Sequence, residues 1–157
     1  YKRGQYKSAI GLISQSRLWP ENLGAGKPYN PDERIEDFLE GKYREKLGQP
    51  NITEKLYHNI IEFTEGKPSG YSSTDYLYVL ALKYLKQFDK ADDFMNDWEK
   101  NKSNNSILEW IKSVLNNNFN KSTEIESLIN TQTGGTPWDP KYADSEFEII
   151  KIISKTF

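Results

Sequence analysis

Few residues in this chain have the type and spacing that chemistry requires. Gly24-Ala25-Gly26-Lys27 comes nearest to a phosphate loop. Such a loop needs Gly-x-x-x-x-Gly-Lys-Ser/Thr between a strand and a helix, so that backbone N–H groups and the helix end cradle phosphate. Here Glu21 stands at the first Gly position, Pro28 replaces Ser/Thr, and no strand precedes, so the segment reads as an ordered loop. His58 is the single histidine and falls off the apolar stripe of its segment, which reads as a solvated side chain. The acidic groups Glu33-Glu36-Asp37 and Asp92-Asp93 fall near helix starts, where the macrodipole favours them. A catalytic carboxylate pair needs a set separation across a cleft, which spacing along the chain does not provide. Trp138 stands between Pro137 and Asp139-Pro140 in a loop. Its ring either plugs a C-terminal hairpin groove or stacks on a ligand or partner, a sugar included. No catalytic, cofactor-binding or metal-binding residue is expected from this inventory.

Composition narrows the classes further. The chain has 157 residues, one domain's worth, with 21 Lys plus Arg against 23 Asp plus Glu. That balance argues against a nucleic-acid binder, which needs a basic excess. There is no cysteine, which removes disulfide frameworks, Cys-ligated metal and thiol nucleophiles. The longest apolar run is Tyr76 to Leu82, far short of the ~20 residues that span a bilayer, so membrane insertion is not expected. Apolar residues make up 36%, low for a globular domain, and aromatics at 13% compensate because each ring buries ~150–250 Å². The expectation is a thin, aromatic-stapled core with a polar exterior. Tyr1 to Gly4 reads as part of a helix already under way, so the sequence is expected to be a fragment of a longer chain.

The elements that must position these residues are helices throughout. Tyr6, Ala9, Ile10, Leu12 and Ile13 have helical spacing before Pro20. Asn30-Pro31 with Glu33 predicts a capped helix start, followed by the stripe Ile35, Phe38, Leu39, Tyr43 and Leu47 and a stop at Gly48. Asn51 with Glu54 opens the next helix, with Ile52, Leu56, Tyr57, Ile60 and Ile61 on one face. Ser72, Ser73 or Thr74 caps a helix through Tyr84, and Asp89 caps its successor through Trp98. Ser106 with Glu109 opens another, carrying Ile107, Leu108, Ile111, Val114 and Leu115. Thr123 with Glu126 caps a short helix, and 131–139 form a loop. Phe147, Ile150, Ile153 and Phe157 predict a final helix, although Ile149 and Ile152 also suit a strand.

The helices pair, and the pairs recur. Gly4, Gly48, Lys86 and Asn117 occupy equivalent turn positions at intervals of 44, 38 and 31. Gly4-Gln5-Tyr6-Lys7-Ser8-Ala9 resembles the Gly-x-Tyr-x-x-Ala turn of a tetratricopeptide repeat (TPR), Gln87-Phe88-Asp89-Lys90-Ala91 repeats it without the glycine, and Asn118-Phe119-Asn120-Lys121-Ser122 is a degraded copy. Gly41 and Gly48 are seven apart, like the two small positions of a first helix. The full Trp-Leu-Gly-Tyr first helix is absent, so HEAT-like and other α-α arrays stay open. The resemblance implies an all-α, TPR-like right-handed superhelix of three to four hairpins over 1–157. Its parts are the second helix of a truncated repeat (1–19), hairpins over 30–66, 73–100 and 106–130, and a C-terminal cap over 140–157. Stacking makes Ala91 an interface position. The concave side of such an array would carry Lys42, Lys46, Tyr76, Lys83 and Tyr84, a mixture suited to an extended acidic or aromatic peptide.

Trp19-Pro20-Glu21-Asn22-Leu23-Gly24-Ala25-Gly26 also resembles a segment joining two repeats in large bacterial multidomain proteins, whose N-terminal domain is sugar-enzyme-like and uncharacterised. The resemblance implies a repeat tail with a catalytic domain upstream in the same chain. Two functions follow as expectations: a non-catalytic protein- or peptide-binding scaffold, or an accessory repeat domain of a carbohydrate-active enzyme that touches sugar through Trp138 or the tyrosines.

Overall fold

The computed structural model describes residues 2–18, 29–67, 70–101, 106–132 and 146–157. Trp138, the Gly24–Lys27 loop and the segment resembling a bacterial repeat junction lie outside them. Among the described residues there are eight helices and no strand: α1 (Lys2–Ser16), α2 (Arg34–Lys46), α3 (Pro50–Gly66), α4 (Asp75–Tyr84), α5 (Phe88–Asn101), α6 (Ser106–Leu115), α7 (Phe119–Gln132) and α8 (Phe147–Thr156). The chain forms two compact units, Tyr1–Pro68 with Leu77–Lys86, and Ser69–Tyr76 with Gln87–Phe157.

Three helix-to-helix turns share one design. Each has three residues (47–49, 85–87 and 116–118), and the middle one is left-handed: Gly48 at φ 71°, Lys86 at φ 60° and Asn117 at φ 54°. Gly48 N–H donates to Glu45 O at 3.0 Å and Gln49 N–H to Arg44 O at 3.0 Å, while Asn117 and Asn118 donate to Val114 O and Ser113 O at 2.9 and 2.8 Å. These bonds satisfy the last carbonyls of α2 and α6 as a Schellman closure does. Five residues after each left-handed residue stands a small or β-hydroxyl side chain, Thr53, Ala91 or Ser122, and all three are buried. Twelve residues after it come Ile60, Trp98 and Ile129, also buried. The periodicity is therefore structural at Gly48, Lys86 and Asn117. Gly4 is not a turn: it lies inside α1, where Ser8 Oγ donates to its carbonyl at 3.1 Å. A lone exposed glycine costs a helix about 1 kcal/mol and does not end it.

In the first unit the core holds Ile10 and Ile13 of α1, Phe38 of α2, Leu56, Tyr57, Ile60 and Ile61 of α3, and Leu77, Tyr78, Val79, Ala81 and Leu82 of α4. Gly41 lets α3 approach α2 closely. Thr53 Oγ1 donates to the Gly41 carbonyl at 3.2 Å, and a Cβ built on Gly41 would stand 2.6 Å from Tyr57 Cε1. In the second unit Tyr71 stacks on Trp98 (4.9 Å, 12°), and Trp110 meets Tyr76 and Phe147 edge-on at 5.6 and 5.1 Å.

Several helix starts differ from the sequence expectation. α2 begins at Arg34 and not at Pro31, because Asp32 takes both the Arg34 N–H (3.2 Å) and its guanidinium (2.8 Å) and so replaces the Asn30 cap. α7 begins at Phe119, four residues before Thr123, since Asn118 Oδ1 accepts from Lys121 N–H at 3.2 Å. Asp75 closes the start of α4 by accepting from Ser72 N–H at 2.9 Å. The last segment is helical: Phe147, Ile150 and Ile153 are buried, while Ile149 and Ile152, the residues that suited a strand, are 45% and 66% exposed. Ala91 is fully buried, so Ala91→Leu is expected to destabilise by about 1–3 kcal/mol through overpacking. An unchanged melting temperature would show that α5 has room at this position.

Candidate functional site

Four of the residues expected on a ligand-facing side belong to the first unit: Lys42, Lys46, Lys83 and Tyr84. Lys42 and Lys46 sit on the C-terminal half of α2, and Lys83 and Tyr84 on the last turn of α4. The structure ties part of this set together. Lys42 Nζ pairs with Glu45 at 3.2 Å and lies 6.0 Å from the Phe38 ring centroid. Phe38 stacks on Tyr57 (5.8 Å, 17°), and Tyr57 meets Tyr84 edge-on at 4.7 Å. Burial raises the Tyr57 and Tyr84 hydroxyl pKa values, and the Glu45 charge, which acts on both, raises them further. Glu45 thus joins Lys42 to the two tyrosines. Lys46 is exposed and Lys83 half-buried, and neither forms an ion pair among the described residues.

Tyr76 departs from the expectation. It is 5% exposed and packed against Trp110 in the second unit's core, where burial pushes its hydroxyl up to about 12. The run Tyr76 to Leu82 is apolar on every side, and such a stretch favours burial, here of every residue but Leu80. Tyr76 is a core residue and leaves the ligand-facing set. His58 is exposed, as its place off the α3 stripe implied.

A second constellation was not legible in the sequence. Among the described residues, three carboxylates grip Arg17, just past α1: Asp37 Oδ1 and Glu40 Oε2 at 2.6 Å each, and Glu33 Oε2 at 3.4 Å. Glu40 also accepts from Arg44 at 2.8 Å. Asn59 of α3 lies close enough to act on the Asp37 carboxyl. Beside them opens a cavity of about 590 Å³ lined by Tyr29, Glu33, Asp37, Asn59, Glu62 and Phe63, among others. Burial pushes the Asp37 carboxyl up to about 6, although Arg17 and Asn59 pull it down; Glu33 and Glu40 add to the rise. Burial would raise Glu40 as well, but its bonds to Arg17 and Arg44 overcome that and hold it below the usual range. The acids near the start of α2 therefore do more than complement a helix dipole. Arg17 lies twenty residues from Asp37 in sequence, and no local pattern links them.

In the second unit Glu126 is also more than a helix-start acid. Its carboxylate accepts from the buried Trp110 Nε1 at 3.1 Å and from Lys155 Nζ at 2.9 Å. Trp110, absent from the expected stripe of α6, is fully buried.

Among the described residues, no group of three or more His, Asp or Glu side chains is placed to hold a metal ion. Nor is any helix among them long and apolar enough to cross a membrane. No protein-family model, curated protein or solved structure matches this chain.

Proposed function

We propose that this chain is a non-catalytic interaction module of the TPR-like kind, a right-handed array of helix hairpins that holds an extended acidic or aromatic peptide. One observation carries the reading: three turns of identical length, each with a left-handed middle residue followed five positions later by a buried small or β-hydroxyl side chain. Hairpins built to one register suit an array whose repeats bury their faces on one another. The first unit then presents Lys46 and Lys83, which have no ion-pair partner among the described residues, together with the Lys42–Glu45 pair and the rim of Tyr84. Exposed cations attract carboxylates, and a tyrosine rim accepts a ring. The carbohydrate alternative rests on Trp138 or the tyrosines, and Trp138 lies outside the described residues.

The test is fluorescence anisotropy of a labelled Asp/Glu-rich peptide containing one aromatic residue, against a Lys-rich control. The acidic peptide is expected to bind saturably, more weakly as salt rises, and about tenfold more weakly to Lys46→Glu/Lys83→Glu. No saturation, or equal binding of the control, would overturn the reading.

A further inference from the structure

We propose that the Arg17 clamp is a proton-linked switch: three carboxylates converge on one guanidinium, and proton uptake by Asp37 in mildly acidic solution stabilises the first unit. Charge and geometry carry this switch independently of peptide binding. Arg17 stands at the end of α1 against Glu33, Asp37 and Glu40, at 3.4, 2.6 and 2.6 Å. One cation cannot neutralise three acids, and like charges on a shared site push one of them toward its neutral form. Glu40 has a second cation, Arg44, at 2.8 Å. Glu33 is farther from Arg17 and its side chain is 29% exposed, so water stabilises its charge. Asp37 has neither relief. Its side chain is 12% exposed, and besides Arg17 it has the neutral Asn59 of α3. Among the described residues, the other charged groups of the adjoining cavity are Glu62 of α3 and Arg34 of α2, and Arg34 is engaged by Asp32 at 2.6 Å and Thr64 at 3.1 Å. The proton therefore goes to Asp37, and burial, which pushes its carboxyl up to about 6, acts in the same direction.

The sign follows from linkage. A carboxyl that titrates higher in the folded chain than in the unfolded one, where aspartate sits near ~3.9, makes the fold more stable as pH falls through the folded value. Between pH 7.5 and 5 the folding equilibrium of the first unit is expected to shift roughly tenfold toward the folded form. Glu40, held low, works in the opposite direction only below the ordinary glutamate range, so pH 5 is the lower limit of the window.

The experiment uses the whole chain carrying His58→Gln, which leaves it without an imidazole. Side-chain carboxyl carbon NMR is expected to show Asp37 titrating near pH 6, and Arg17→Gln is expected to move that midpoint upward. Urea unfolding, followed at α3 amide signals, is expected to need more urea at pH 5 than at pH 7.5, with the difference lost in Asp37→Asn. An Asp37 midpoint near ~4 would overturn the proposal, as would an Arg17→Gln midpoint that does not rise or a pH effect that survives in Asp37→Asn. Should Asp37→Asn fail to fold, the titration and the Arg17→Gln shift decide alone.

Discussion

Gly41→Ala is expected to destabilise the first unit, although alanine is the better helix former by about 1 kcal/mol. The added methyl would stand 2.6 Å from Tyr57 Cε1 and 3.2 Å from Cζ. Tyr57 cannot give way easily. It is 1% exposed, with Phe38 stacked on it and Tyr84 meeting it edge-on. Relief would mean moving α3, which the Thr53 bond to the Gly41 carbonyl ties to α2. Overpacking of this kind costs about 1–3 kcal/mol, which outweighs the gain in propensity. Thermal unfolding checks the sign, and a double-variant cycle with Tyr57→Leu checks the cause. If the ring is the obstacle, Gly41→Ala should cost clearly less in the Tyr57→Leu background. A stabilising Gly41→Ala would mean that the approach of the two helices is looser than the structure shows.

The second large effect is expected at Glu126. Its carboxylate accepts from Trp110 Nε1, and Trp110 is fully buried. Glu126→Ala leaves that indole N–H without its acceptor, at a cost of about 1–3 kcal/mol, and also removes the anchor of Lys155. Glu126→Gln keeps an acceptor for Trp110 and gives up only the charge, so less than about 1 kcal/mol is expected, as for a partly exposed ion pair. Burial alone would raise the Glu126 carboxyl, but the bonds from Lys155 and Trp110 hold it below the usual range. Its stabilising contribution is therefore present above the ordinary glutamate pKa and disappears as pH falls through the lowered value. Chemical denaturation of the three proteins at pH 7 and pH 3 checks both statements. An alanine variant as stable as the glutamine variant would show that the indole bond contributes nothing.

Local signals carried much of the architecture. The stripes of α3 and α8, apart from Ile52 and Phe157, which are exposed, and the turns at Gly48, Lys86 and Asn117 were legible because each depends on neighbours within one helical turn. Lys86 and Asn117 take the same left-handed turn as Gly48 without being glycine, so its place was set by spacing more than by residue type. Helix starts were less legible, since Asp32 and Asn118 displaced the caps that Asn30 and Thr123 suggested. The Arg17 clamp and the Glu126–Trp110 bond could not be read at all. Each joins residues 16 to 23 positions apart, and only the packed fold chooses those partners. Tyr76 was misplaced for a related reason: a tyrosine in an apolar run suits a core as well as a rim, and Trp110 decides between them.

The most direct test of the interaction-module reading is residue-resolved. Backbone amide shifts of the whole chain are followed as the Asp/Glu-rich peptide is added. Saturable shifts are expected on the C-terminal half of α2, around Lys42 and Lys46, and at Lys83 and Tyr84 on α4, all diminished by salt. Shifts confined to other residues, or none at all, would contradict that reading.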